Sequence, residues 1–147
     1  MKAHPHNPHI KNGLLAKALL WASRHPGSGF TRLLFLLTGC DFGRPLPLTT
    51  FLPHPQGIVI GSHVQLGSRV VIGHQVTLGG RDLEIQNMPV IEDGVYLGAG
   101  AKILGSLRIG AGATIGANSV ITRDVPAGAV AVGANRILPG KKSAYAD

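Results

Sequence analysis

At 147 residues the chain has the length of one domain, and 44% hydrophobic residues, 21 Gly and 14% charged residues suit a turn-dense β architecture. A net charge of +7 would serve an anionic coenzyme or a membrane surface, whereas nucleic acid is set aside because the basic residues are scattered without interleaved aromatics. The single Cys40 rules out a disulfide framework within the chain and a CxxC metal motif, which makes a reducing cytoplasm the expected location.

Residues 1–47 read as a helical segment and linker. The opening MKAHPHNPH alternates His with Pro. His-rich tracts can bind metal, but a frayed terminus is the simpler reading. From Ile10 to Arg24 the residues Leu14, Leu15, Ala18, Leu19 and Trp21 recur at helical spacing, and His25-Pro26-Gly27 closes a helix of about four turns. A second helix begins near Ser28, carries the apolar run Leu33 to Leu37, and ends at Gly39. It is too short to span a bilayer, and no cleavable signal is present. Apolar all round and flanked by Lys17, Arg24 and Arg32, residues 28–40 could make peripheral membrane contact; the plainer reading packs them on the rest of the fold or a neighbouring subunit. Asp41 to Pro47, with two Pro and one Gly, reads as the linker.

From Leu48 onward aliphatic residues return every sixth position. Ile60 to Gln65, Leu66 to Val71 and Ile72 to Thr77 are three consecutive hexads, each an aliphatic followed by Gly with a small or branched residue fifth. After a break the pattern resumes as Ile91/Val95, Leu97/Ala101, Ile103/Leu107, Ile109/Ala113, Ile115/Ser119 and Ile121/Val125. Such a repeat makes a short strand and a corner, with the aliphatics inward and Gly expected to allow the corner at positive φ. Three faces per coil of about eighteen residues give a triangular parallel β-helix, an all-β solenoid in which each coil is covered only by its neighbours. The expected solenoid spans 48–131, with a tail over 132–147. Counting by six from Leu48 puts His54 in an inward slot, where an unpaired imidazole would cost about 1–3 kcal/mol. Pro53 and Pro55 flank it, so the strand is expected to leave the regular coil there and present His54 at an edge. A loop is extruded over 79–90, where Leu78 and Ile91 stand thirteen apart instead of twelve; Arg81, Asp82, Glu84 and Asn87 are expected exposed on it.

The string Leu52-Pro53-His54-Pro55-Gln56-Gly57-Ile58-Val59-Ile60-Gly61, with His74-Gln75-Val76-Thr77-Leu78-Gly79-Gly80 and Gly98-Ala99-Gly100-Ala101-Lys102-Ile103-Leu104-Gly105, resembles the hexapeptide-repeat acyltransferases. The likeness covers about Asp41 to Arg136 and is nearest to serine O-acetyltransferases and exopolysaccharide or colanic-acid O-acetyltransferases. It implies a left-handed β-helix, acetyl-coenzyme A as acetyl donor, no metal, and a homotrimer with active sites between subunits. It also implies His54 as general base, a role that fits a histidine beside a weakly nucleophilic hydroxyl, with His74 a candidate second group. Matching coenzyme positions are Gly79, Gly98, Ala99, Ala117, Thr122, Arg123 and Arg136, the two Arg suited to phosphates. His63, at a fourth and exposed hexad position, is expected to be silent.

Two departures shift the acceptor. Serine acetyltransferases carry an Asp directly before the base and a second His before a Pro in the extruded loop; here those positions are Pro53 and Met88. The expected acceptor is therefore a hydroxyl of a sugar or polysaccharide precursor, with serine as the alternative. Galactoside and maltose acetyltransferases match less well, because their base lies in a loop that here contains no His. A non-catalytic β-helix scaffold or binding module is the rival of another class. Carbonic-anhydrase-like solenoids would need three His on one metal, for which His54, His63 and His74 are the candidates.

Overall fold

The computed structural model describes residues 11–81 and 86–144. The His-rich opening, Ile10, Asp82 and Glu84 lie outside these. Helix α1 (Leu14–Ala22) is shorter than its periodicity suggested, because Gly13 is extended and Ser23 already caps the other end. Helix α2 (Gly29–Thr38) has the expected bounds. Ser28 Oγ accepts from the Thr31 N–H at 3.1 Å, and Gly39, with φ 64°, closes the helix in the left-handed conformation. The helix carries apolar residues on both sides, as expected: Leu34 and Phe35 pack on the core beside buried Thr31, while Phe30, Leu33, Leu36 and Leu37 face outward.

Three sheets form the faces of the solenoid. The first holds β1 (Asp41–Phe42), β2 (Val59–Ile60), β5 (Thr77–Gly79), β8 (Lys102–Leu104) and β11 (Val120–Ile121), all parallel. The second holds β3 (Gln65–Leu66), β6 (Val90–Ile91) and β9 (Arg108–Ile109). The third holds β4 (Val71–Ile72), β7 (Tyr96–Leu97), β10 (Thr114–Ile115), β12 (Ala129–Val132) and β13 (Arg136–Lys142). Partners such as Val59↔Thr77 and Tyr96↔Thr114 stand eighteen residues apart. Across the loop Thr77↔Lys102, Gln65↔Val90 and Val71↔Tyr96 are all twenty-five apart, so the extrusion adds seven residues and leaves every register intact.

The boundaries differ from expectation. The solenoid starts at β1, inside the expected linker 41–47, because Asp41 N donates to Ile58 O and Gly43 N to Ile60 O. Leu48 is 62% exposed and begins no coil; the first inward series runs Cys40, Leu46, Leu52, Ile58, Val64, Val70 and Val76, six apart. Gly79 and Val90 belong to strands, so the loop proper is shorter than 79–90. The expected tail folds back as β13, antiparallel to β12, and covers the edge of the last coil.

Both inward series are buried, Ile60, Ile72 and Leu78 before the loop and Leu97, Ile103, Ile109, Ile115 and Ile121 after it. The second-place glycines serve a purpose other than positive φ. A Cβ on Gly73 would lie 2.7 Å from Ala99 N, and one on Gly98 would lie 2.6 Å from Ala117 N, because the next coil's backbone crosses there. Positive φ falls two residues later instead, at Arg69, Gln75 and Asn118.

Side chains also tie the coils at one corner. Glu92 accepts from Arg108 Nη1 at 2.7 Å and from Ala111 N at 2.8 Å, and Asp93 accepts from Ser68 N at 2.8 Å. These bonds hold both carboxyls below their ordinary range, Glu92 chiefly through Arg108 and Asp93 chiefly through the Ser68 N–H.

Gly73→Ala is expected to lower stability by about 1–3 kcal/mol in urea unfolding, since backbone must shift to admit the methyl. Gly29→Ala, with open space around it, should stay within about 0.5 kcal/mol. Because Glu92 and Asp93 titrate lower folded than unfolded, their contribution is in place above the unfolded values of about 4 and fades as pH falls through the folded ones. The stability gap between the protein and a Glu92→Gln/Asp93→Asn variant should therefore be wider at pH 7 than at pH 3. An equal gap at both would mean these bonds do not act through the charged form.

Candidate active site

His54 stands outside the core because the first coil slips. Phe51 pairs with Val71, twenty residues on rather than eighteen, through Phe51 N→Val70 O and Ile72 N→Phe51 O, both 2.9 Å. Leu52 thereby fills the inward slot that counting by six assigned to His54, and Leu52 is fully buried while His54 is exposed. The residues left over, 53–57, form a projecting turn that two prolines keep out of the ladder.

That turn is fastened on several sides. Gln56 N donates to His54 O at 2.9 Å, Gln75 N to Gln56 O at 2.8 Å, and Gly57 N to Thr38 O, a carbonyl left open at the end of α2, at 2.8 Å. Cys40 Sγ lies 3.6 Å from Pro55 O. Just before the turn, buried Asn12 spans the strand edge: its Nδ2 donates to Thr50 O and its Oδ1 accepts from Leu52 N, each at 2.7 Å. Asn12 was invisible to a sequence reading, because a side-chain amide bonding residues 38 and 40 positions away leaves no periodic trace.

The turn brings His54 against His74, ring centroids 6.5 Å apart and planes at 76°. A cleft of about 310 Å³ opens beside His54, lined by the first turn of α1, Leu52, Pro53, Pro55 and Gln56. His74 follows Gly73 in the corner that leads from the third sheet into the first. The same corner in the next two coils carries Gly98-Ala99 and Ala117, stacked through Gly100 N→His74 O and Asn118 N→Ala99 O, each 2.8 Å. Lys102, outward on β8, donates from Nζ to Gln75 O at 2.6 Å and so braces the His74 turn. The one signal the sequence offers for this role is the place of Lys102 in the Gly98 to Gly105 string.

Gly79, Thr122 and Arg123 lie across the first sheet from this corner, at the ends of β5 and β11. Gly79 has open space where a side chain would be. Thr122 is fixed by Asn135, whose Oδ1 accepts from Thr122 N at 2.7 Å and whose Nδ2 donates to Thr122 Oγ1 at 2.9 Å. Arg123 is exposed, as is Arg136, which opens β13 on the third sheet. The candidate residues thus occupy both margins of one sheet face, whose outward row by register is Asp41, Val59, Thr77, Lys102 and Val120.

His63 is not part of this group. It lies in a hollow of about 660 Å³ with Arg44 and Pro45, its Nδ1 3.0 Å from Ser62 Oγ. Among the described residues no three of His, Cys, Asp and Glu converge as a metal-binding set. Met88, at the re-entry of the loop, is half-buried against the core and crowds Gly61. Of the other loop residues described, Arg81 is exposed and Asn87 partly buried.

Residues 88–123 match the bacterial transferase hexapeptide family (six repeats). A serine acetyltransferase of Mycobacterium tuberculosis is 43% identical over 115 residues, 76% of this chain and 47% of the relative. The crystal structure of serine acetyltransferase from Brucella abortus strain S19 superposes with a TM-score of 0.71 at 31% identity, covering 88% of this chain and 55% of that one. A serine acetyltransferase in complex with CoA superposes with a TM-score of 0.60 at 30% identity, covering 84% and 55%. The chain spans about half the length of the curated relatives it matches. The solenoid is a left-handed parallel β-helix.

Asn12→Ala should strand the buried Leu52 N–H and Thr50 carbonyl, costing about 1–3 kcal/mol. Amide exchange at Leu52 is expected to quicken at least about tenfold while the β7 and β10 amides keep their protection. Unchanged exchange at Leu52 would show that Asn12 does not hold this edge.

Proposed function

We propose, for a chain that belongs to the hexapeptide-repeat, left-handed β-helix family, an O-acetyltransferase that moves the acetyl group of acetyl-coenzyme A onto a hydroxyl. The observation that carries this reading is the paired His54 and His74 at the head of a corner lined by Ala99 and Ala117. In the proposed step an imidazole nitrogen of His54 takes the hydroxyl proton while the acceptor oxygen attacks the thioester carbonyl carbon. The tetrahedral intermediate collapses, the C–S bond breaks, and the imidazolium returns its proton to the departing thiolate. No covalent enzyme intermediate is required. A positioned base contributes about 10²–10⁴-fold, and His74, as a hydrogen-bond donor near the thioester, would add stabilisation of the developing oxyanion.

The coenzyme would run from the histidine pair along the corner, where Gly98 keeps the backbone bare beside Ala99 and Ala117. Thr122, fixed by Asn135, would meet its far part, and Arg123 and Arg136 its phosphates. A homotrimer fits the same face. Val59 and Val120 stand 39% and 42% exposed on the first sheet, and packing around a three-fold axis would cover them. The relatives and structures named above are serine acetyltransferases, which favours serine as acceptor over the sugar hydroxyl expected from Pro53 and Met88. A glycan acceptor has no support among them. Met88 offers no charge to an amino-acid carboxylate, so another group would have to bind it.

Coenzyme release measured against a panel of serine, nucleotide sugars and glycans tests both halves of the proposal. Turnover should appear with serine. His54→Ala should cut it at least about a hundredfold with coenzyme affinity and sedimentation as a trimer unchanged. His74→Ala should fall between, and His63→Ala should match the parent. Turnover of a sugar alone would replace the acceptor. Parent-like turnover by His54→Ala would displace the base, and absence of coenzyme binding at millimolar concentration would favour the non-catalytic scaffold.

A further inference from the structure

The α1–α2 hairpin leaves an apolar surface that the solenoid does not use. Leu14 is 86% exposed, Leu36 79% and Leu37 74%, with Trp21, Phe30 and Leu33 also open. On α2 Phe30, Leu33 and Leu37 lie together at spacings of three and four and are exposed, while Thr31, Leu34 and Phe35 turn toward the solenoid. Phe35 meets Phe42 edge-on at 5.4 Å on that inner side. On α1 Leu14, Lys17 and Trp21 share a face by the same spacing, and Trp21 touches Phe30 edge-on at 6.0 Å, so the two helices present one continuous patch.

Charge identifies what fits it. Residues 1–40 contain no Asp or Glu, while Lys11, Lys17 and Arg32 stand exposed on and around the patch. A second copy seated hairpin to hairpin about a two-fold axis would set Lys17 and Arg32 near their own equivalents, with no carboxylate of the hairpin to pair them. An anionic lipid surface supplies both parts at once, an acyl boundary for Trp21, Phe30 and the leucines and phosphates for the cations. Among the described residues no helix is long and apolar enough to cross a membrane. The ten-residue α2 would therefore lie in the interface plane. We infer that the α1–α2 hairpin docks the protein on anionic membrane surfaces. Its first turn lines the His54 cleft, so docking would hold that cleft close to the headgroups. The inference stands independently of the proposed reaction.

Co-sedimentation of the full chain with vesicles of phosphatidylcholine alone, and with phosphatidylglycerol added, tests it. Binding should favour the anionic vesicles at least about tenfold and weaken as salt is raised. Lys17→Gln/Arg32→Gln should lower binding to anionic vesicles about thirtyfold. Leu33→Ser/Leu37→Ser should lower it at least about tenfold with the oligomer's mass unchanged. Failure to bind either vesicle, equal binding to both, or dissociation of the oligomer by the leucine pair would overturn the inference, the last by showing that a second copy covers the face. If the serine variant does not fold, the exposed charge pair still decides.

Discussion

Each coil must bring its backbone back to the register of the coil beneath it, and the rest of this structure follows from that constraint. Ladder bonds between coils, such as Thr77 N→Ala101 O and Tyr96 N→Ala113 O, run across short strands joined by tight corners. The corners have to stack as closely as the strands do, which leaves no room for a side chain at Gly73 or Gly98. Insertions are accommodated only where they leave the ladder altogether. The seven residues added before β6 do so as one loop, and the pairings on all three sheets beyond it are undisturbed.

The hexad lattice was legible because burial and period coincide: Ile72, Leu78, Leu97 and Ile103 are inward wherever counting by six puts them. The beginning of the lattice was not legible. Between Cys40 and Ile58 the true inward residues are also six apart, but Pro45 and Pro47 make Asp41 to Pro47 read as linker, and Leu48 looks like a core residue in phase with Ile60. The glycines were assigned correctly as corner residues and for the wrong reason. Close approach of a neighbouring coil requires them, a nonlocal condition that one hexad cannot reveal. Of the candidate site, His54 and its departure from the coil could be read from the flanking prolines. Its proximity to His74 could not, since a two-residue slip in pairing decides it.

The lone apolar-looking helix α2 shows the same limit from the other side. Its run of leucines and phenylalanines gave no period, so it read as apolar all round. In the structure Phe35 packs on Phe42, a residue that belongs to the first strand of the solenoid, and this contact sets which face of the helix turns inward. What remains outward is then fixed by helical geometry rather than by any signal in the run itself.

Among the described residues no further coil stacks on the outer side of the first one, which the two helices cover instead, and this explains why the irregular turn sits there. In an interior coil both edges of every strand are held by ladders, so a slip of two residues would break bonds on both sides. At the end coil the outer edge is held by single groups instead. Asn12 bonds Thr50 and Leu52, Arg24 reaches the carbonyl of Leu46, and the carbonyl of Thr38 receives Gly57 N. Arg44 donates to Val64 O at 2.7 Å beside the edge strand of the second sheet. Side chains and helix ends can meet a backbone at whatever register it adopts, which a strand cannot. The two N-terminal helices therefore do more than cover an edge: by replacing a rigid ladder with adaptable partners, they allow Leu52 to take the inward slot and His54 to stand outside it.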